Sequence, residues 1–238
     1  MARVSMANFV LIPGGWRGGW TFADLVARLK RAGHEAHAVT LSGLDATPAP
    51  SGATPAPSGA NINLDTHIAD VMKLLANEDL SEVILCSHSY GGMVAAGVAD
   101  RVPERIAALA YLDAFVPENG QSWWDLANEH FRQLIIERAR HDGFTVEPPV
   151  GHEPRRRPHP IGSFLQALHL TRAEKPMPRL FVYATGWNAT PFTAQYERLR
   201  LDPAWQVHTL ACGHDVINEK PDDVFEILTR MAHEPSSG

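Results

Sequence analysis

Cysteine is nearly absent from this 238-residue chain. Cys86 and Cys212 are too few for a disulfide framework, and no cysteine–histidine cluster has zinc-site spacing. A basic excess is also missing. Lys+Arg number 21 against 27 Asp+Glu, a net charge of -6, so nucleic acid is not an expected partner. No run approaches the ~20 apolar residues of a membrane span, so no membrane partner is expected either. The apolar run Phe9-Val10-Leu11-Ile12 is too short for a secretory core and meets Pro13-Gly14-Gly15 instead of a small-residue cleavage site. Met1 and Met6 both qualify as starts, and the expected setting is the cytoplasm. What is plentiful is apolar surface: 45% of residues are hydrophobic and 20% charged. That composition suits a packed core, and the length is near the upper size of a single domain.

Buried strands alternate with amphipathic helices, the pattern of a parallel sheet wrapped on both faces. Strands are expected at Phe9–Ile12, Ala36–Leu41, Glu82–Cys86, Ile106–Leu112, Leu180–Ala184 and Val207–Ala211. Phe22, Leu25, Val26 and Leu29 make one apolar stripe over Thr21–Ala32, closed by Gly33. Ile68, Val71, Met72 and Leu75 do the same over Leu64–Ala76. Gly91–Asp100 reads as a helix of small residues that packs closely on a sheet, Gln195–Leu199 lies in a helix, and Pro221 opens the last one. The fold class is therefore α/β, with a six-stranded, mainly parallel sheet.

Two segments break this rhythm. Ala46-Thr47-Pro48-Ala49-Pro50-Ser51-Gly52 is copied without change at Ala53–Gly59. The unit has no apolar stripe and its prolines forbid a helix interior, so residues 45–60 read as a loop. The second segment, 114–178, is a long insertion between strands. It divides the core into 1–113 and 179–238 and is placed to cap a site at the sheet edge. Helices are expected at Ser122–Arg140 and Ser163–Leu170, with a proline-rich stretch between. The run Arg155-Arg156-Arg157 has neither a glycine nest nor a helix start beside it, which favours a solvated face over an anion site.

The most informative stretch is Val83-Ile84-Leu85-Cys86-Ser87-His88-Ser89-Tyr90-Gly91-Gly92. A buried strand enters a helix through Ser-x-Ser-x-Gly, close to the Gly-x-Ser-x-Gly elbow that lifts a nucleophilic serine clear of the turn. Ser89 is the candidate nucleophile; an ordinary helix-start serine is the competing reading. A serine hydroxyl needs a base. His214 follows the last strand and the Cys212-Gly213 turn, which puts it at the same sheet edge. His88 adjoins Ser89 but should point away across the turn. The base in turn needs an acid. The segment after the next-to-last strand, Gly186-Trp187-Asn188, holds no carboxylate. Asp113, at the end of the strand after the elbow, is the candidate, and Asn188 is an uncharged alternative. Oxyanion donors are expected from the N–H of Tyr90 and from the loop Pro13–Trp20, with Gly15 first and Trp16 second.

In these motifs the chain resembles the α/β-hydrolase superfamily over nearly its whole length. Phe9 to Trp20 is similar to the first strand and oxyanion loop of its compact branch of plant-type methylesterases, hydroxynitrile lyases and small bacterial esterases. Ser89 and Gly213-His214 match the family pattern. An acid one strand after the nucleophile resembles a known variation of the family, and Tyr111 to Pro117 is similar to a small bacterial subgroup. The sequence also resembles hydrolases of benzimidazole carbamates, such as the carbendazim esterases. Hydroxynitrile lyases carry a lysine just after the catalytic histidine and a threonine in the oxyanion loop, where this chain has Asp215 and Gly14. A cyanide anion beside Asp215 would be repelled.

The expectation is a serine hydrolase acting on a small, uncharged, aromatic ester or carbamate through an acyl-enzyme, with no cofactor or metal. Ser89, His214 and Asp113 are the catalytic set. Trp16, Trp123, Trp124, Phe131 and Trp187 are pocket-wall candidates, since ligand sites are mostly apolar and aromatic. A ligand-binding receptor or carrier on the same fold, a cofactor-free oxygenase and a hydroxynitrile lyase are the alternatives.

Overall fold

A computed structural model of the chain describes residues 6–45, 59–139, 143–150, 153–171 and 176–233. In chain order its main elements are β1 (Asn8–Ile12), α1 (Ala23–Arg31), β2 (Glu35–Ala38), α2 (Leu64–Asn77), β3 (Val83–Ser89), α3 (Gly91–Arg101) and β4 (Ile106–Ala114). Then follow α4 (Trp123–Leu126), α5 (Glu129–Arg138), α6 (Ile161–Leu165), β5 (Arg179–Ala184), α7 (Thr193–Leu199), β6 (Trp205–Leu210), α8 (Val216–Glu219) and α9 (Pro221–His233). The six strands run in the order β2-β1-β3-β4-β5-β6, every neighbouring pair parallel.

Alternation along β1 explains why the sheet is covered twice. Val10 and Ile12 join one core cluster with Ile68 and Val71 of α2 and Val94 and Val98 of α3. Phe9 and Leu11 join the other with Leu25 and Leu29 of α1 and Val224 and Leu228 of α9. All four β1 side chains are fully buried, each worth about 1.5 to 3 kcal/mol relative to exposure. A strand buried on both faces reads as an unbroken apolar run, which is why it stands out in the sequence. At α2, Asn63 and Thr66 form a reciprocal cap that fixes where the helix begins.

Residues 114–178 lie between β4 and β5, and here the structure departs from expectation. The single helix over Ser122–Arg140 is two, α4 and α5, because Asn128 starts a new helix by accepting the N–H of Phe131. The helix expected at Ser163–Leu170 begins earlier and ends at Leu165. Gln166 adopts extended backbone, and its side chain bonds the N–H and carboxylate of Asp65. A short antiparallel pair, Thr145–Val146 with His159–Pro160, was not anticipated. Of the repeat Ala46–Gly59, residues 46–58 lie outside the described residues, and Gly59 opens a short 3-10 turn that ends at Asn61. Among those described, no helix is long and apolar enough to cross a membrane.

Candidate active site

β3 ends at Ser89 with a φ of 53°, and α3 begins at Gly91. The left-handed backbone reverses the chain between strand and helix and leaves the hydroxyl at the tip. A Cβ on Gly91 would lie 2.5 Å from the Ile12 carbonyl oxygen, so this position excludes any side chain. Ser87 is fully buried and donates its hydroxyl to the Ala110 carbonyl at 3.3 Å, which lets serine stand where glycine is commoner. Five described non-glycine residues have positive φ. Three of them, Trp16, Ser89 and Asp113, gather here, as backbone strain does at functional sites.

Asp113 is fully buried at the end of β4. Its Oδ1 accepts the N–H of Ala184 on β5 at 3.0 Å, and its Oδ2 lies 2.7 Å from Nδ1 of His214. That contact puts the ring proton on Nδ1 and leaves the Nε2 lone pair free. Three further contacts hold the ring. His88 donates Nε2–H to the His214 carbonyl at 2.9 Å, its own ring sits 4.6 Å from the His214 ring, and Trp187 stacks on His214 at 4.6 Å. His88 therefore reaches the His214 loop, where its Nε2 is engaged. Asn188 is exposed, and the acid group on His214 is Asp113. Burial pulls the His214 imidazole below its ordinary value and pushes the Asp113 carboxyl up, against the N–H of Ala184. The ring is thus neutral at neutral pH.

The loop after β1 supplies the opposite wall. A Cβ on Gly14 would lie 2.9 Å from Cβ of Ser89, so the loop backbone runs directly against the nucleophile candidate. Trp16 corrects one expectation. Its N–H is already donated to Nδ1 of His159 at 3.2 Å, so it is not an oxyanion donor. The Trp16 carbonyl accepts the N–H of Arg157, and its indole N–H bonds the Val146 carbonyl. No hydrogen bond among the described residues takes the N–H of Gly15 or of Tyr90.

Ser89, His214, Gly15 and Tyr90 line one cavity of about 480 Å³. Trp16, Trp123, Phe131 and Trp187 form part of its wall. Trp124 does not. One helical step turns it outward from Trp123, and the Arg132 guanidinium covers its ring at 5.9 Å. Phe115, Phe164 and Phe192 complete the aromatic wall and were not singled out, because an apolar residue carries no local mark that separates pocket from core. Arg156 overturns the reading of its run as a solvated face, since it is half-buried and lines the cavity. Arg17 pairs with Asp215 through two bonds of 2.9 and 3.0 Å. That pairing offsets the Asp215 charge, so the repulsion of a cyanide anion is weaker than the sequence alone implies.

Known proteins share this sequence pattern and fold. The profile described as "Alpha/beta hydrolase family" matches residues 9–227. The chain is similar to a carbendazim hydrolyzing esterase from Nocardioides sp. (strain SG-4G), 35% identical over 248 residues, which covers 95% of this chain and 100% of the relative. It is 26% identical to methylesterase 10 of Arabidopsis thaliana over 65% of this chain and 54% of that one. An extracellular alpha/beta-hydrolase from a Paenibacillus species, described as sharing structural and functional homology with tobacco salicylic acid binding protein 2, superposes with a TM-score of 0.78 at 21% identity. The match covers 96% of this chain and 100% of that structure.

Proposed function

The chain belongs to the alpha/beta hydrolase family, and on that premise we propose that it is a serine hydrolase cleaving a small, apolar, aromatic carboxylic ester or carbamate. The observation that carries the reading is the 2.7 Å pairing of Asp113 with His214 in the cavity that Ser89 enters from a left-handed elbow.

The steps follow from the proton positions. Nδ1–H of His214 faces the carboxylate, so Nε2 takes the Ser89 proton as Oγ attacks the carbonyl. The N–H groups of Gly15 and Tyr90 receive the oxyanion; one such donor is worth about 2.7 to 4 kcal/mol of transition-state stabilisation. Asp113 balances the imidazolium. Nε2–H then protonates the leaving group, and a water deprotonated by the same nitrogen hydrolyses the acyl-enzyme. The aromatic wall supports an aromatic substrate. The similarity to an esterase named for carbendazim supports carbamates alongside esters.

A fluorophosphonate probe tests the reading. Wild type should label and turn over p-nitrophenyl esters. Ser89→Ala should not label and should lose at least about a thousandfold in rate while remaining folded. Retained turnover in Ser89→Ala overturns the assignment. A wild type that neither labels nor hydrolyses returns the molecule to the binding-protein alternative.

A further inference from the structure

The three consecutive arginines of the run go three ways. Arg155 is exposed, bonds Glu153 at 2.7 Å and lies over the Trp20 ring at 4.3 Å. Arg157 folds back on the carbonyls of Pro154 and Arg156. Arg156 turns inward to the cavity. Its Nε is buried and has no hydrogen-bond partner, and no hydrogen bond or ion pair among the described residues involves its side chain. The nearby Arg17 is different, because Asp215 already fills its fork.

A guanidinium taken partly out of water with no partner is costly, and buried polar groups that lack partners call for an explanation. Burial and the like charge of Arg17 pull Arg156 down to about 10, against Asp215 and Glu153, so it remains a cation at neutral pH. Its flat array of donors suits an oxygen or nitrogen acceptor. The charge balance selects among acceptors. Arg17 and Arg156 on the cavity wall are matched by Asp215 and Glu219, so no net positive field favours an anion.

We propose that Arg156 is a specificity-determining residue that binds a neutral hydrogen-bond acceptor on the substrate, a carbonyl oxygen or ring nitrogen other than the scissile carbonyl. This rests on the serine hydrolase reading for its place in a reaction. The preferred substrate class is then an aromatic ester or carbamate bearing a second, uncharged acceptor. Gly15 and Tyr90 take the scissile oxygen, while Arg156 sets which end of the molecule enters where.

The test uses esters whose carbonyls are equally reactive because two methylenes insulate them from the ring. These are methyl 3-phenylpropanoate and its 4-acetylphenyl, 4-pyridyl and 4-carboxyphenyl counterparts at pH 8. Wild type should favour the acetyl and pyridyl esters over the plain one by about tenfold or more in kcat/KM. Arg156→Met should bring that ratio close to one, and Arg156→Lys, which keeps the cation but not the fork, should fall between. A ratio unchanged in Arg156→Met, or absent in wild type, overturns the proposal. A carboxylate ester preferred over both neutral ones overturns the choice of acceptor. Equilibrium binding of the matching ketones, with methylene in place of the ester oxygen, to Ser89→Ala and to its Arg156→Met double variant reads the same ratio without turnover. If wild type hydrolyses none of these esters, fluorophosphonate labelling and p-nitrophenyl ester turnover decide the hydrolase reading separately, and the ketone ratio still decides the role of Arg156. Melting curves show that each variant is folded, and Arg156→Lys carries the test should Arg156→Met not fold.

Discussion

Asp113 shows how much one side chain does when its backbone is fixed first. β4 pairs with β3 on one side and β5 on the other, and a φ of 45° at its end turns the carboxylate toward the loop of His214. One oxygen is spent on the Ala184 N–H, which keeps the other aimed at Nδ1. Asp113→Asn should preserve this shape while favouring the wrong ring tautomer, and the same change in a comparable triad lowers the rate about 10⁴-fold. Asn188→Ala, at an exposed site, should leave steady-state ester hydrolysis nearly unaltered. The reverse ranking would reassign the partner of His214. Ser89 and Asp113 were legible because each stands where a buried strand stops, and His214 because it follows a strand end and a Cys-Gly turn, signals contained in a few adjacent letters. Arg156 was not. Its inward turn depends on contacts with distant residues, and a run of three arginines looks the same whether its middle member faces water or a cavity.

Among the elements, the short pair at 145–146 and 159–160 has the largest consequence for the site. All three polar groups of Trp16 are held by the segment from Val146 to His159. The proton positions are determined throughout. Nδ1 of His159 accepts from Trp16, so Nε2–H donates to Ser163, whose hydroxyl donates to the Pro160 carbonyl. With its N–H engaged, Trp16 keeps its left-handed φ of 63°, which fixes the backbone beside Gly15. His159→Ala strands that buried N–H at about 1 to 3 kcal/mol, lets the oxyanion loop relax, and should lower kcat about tenfold or more with little change in KM. His159→Asn places an oxygen near the Nδ1 position and should recover part of the rate. Equal losses in both variants at temperatures well below melting would show that the ring's bulk matters and its acceptor does not. Interactions separated by 143 residues leave no periodicity to read. The division between α4 and α5 was readable, since Asn128-Glu129 is an ordinary helix start that the surrounding apolar run obscured.

Across the whole molecule, the six-stranded parallel sheet and its two covered faces follow from central strands that are mostly apolar and helices that are apolar on one side, so that much of the architecture was legible, whereas the strand order and the buried histidines were not. His67, His88 and His159 are buried, within or against the site. His67 accepts from the Tyr90 hydroxyl at 2.8 Å and donates to the Ser42 carbonyl. Burial pulls His67 down to about 4 and His88 to about 3 from an ordinary 6.5, and His159 well below it. Unfolding frees all three to take up protons once the pH is under 6.5. Their contribution to stability is therefore fully present above 6.5 and declines as the pH falls toward their folded values. The limiting slope for three protons is about 4 kcal/mol per pH unit, reduced by any local relaxation. Against a typical total of about 5 to 15 kcal/mol, such a slope is large. The melting temperature should be level from pH 9 to 7 and drop steeply between 6.5 and 5. Replacing one of the three by a neutral side chain, as in His67→Gln, should flatten that drop by about a third, even though the variant starts from a lower melting temperature at pH 8. A wild-type profile that stays level to pH 5 would mean that these rings accept protons inside the folded chain, and the fixed tautomers around Tyr90 and Trp16 would have to be abandoned with it.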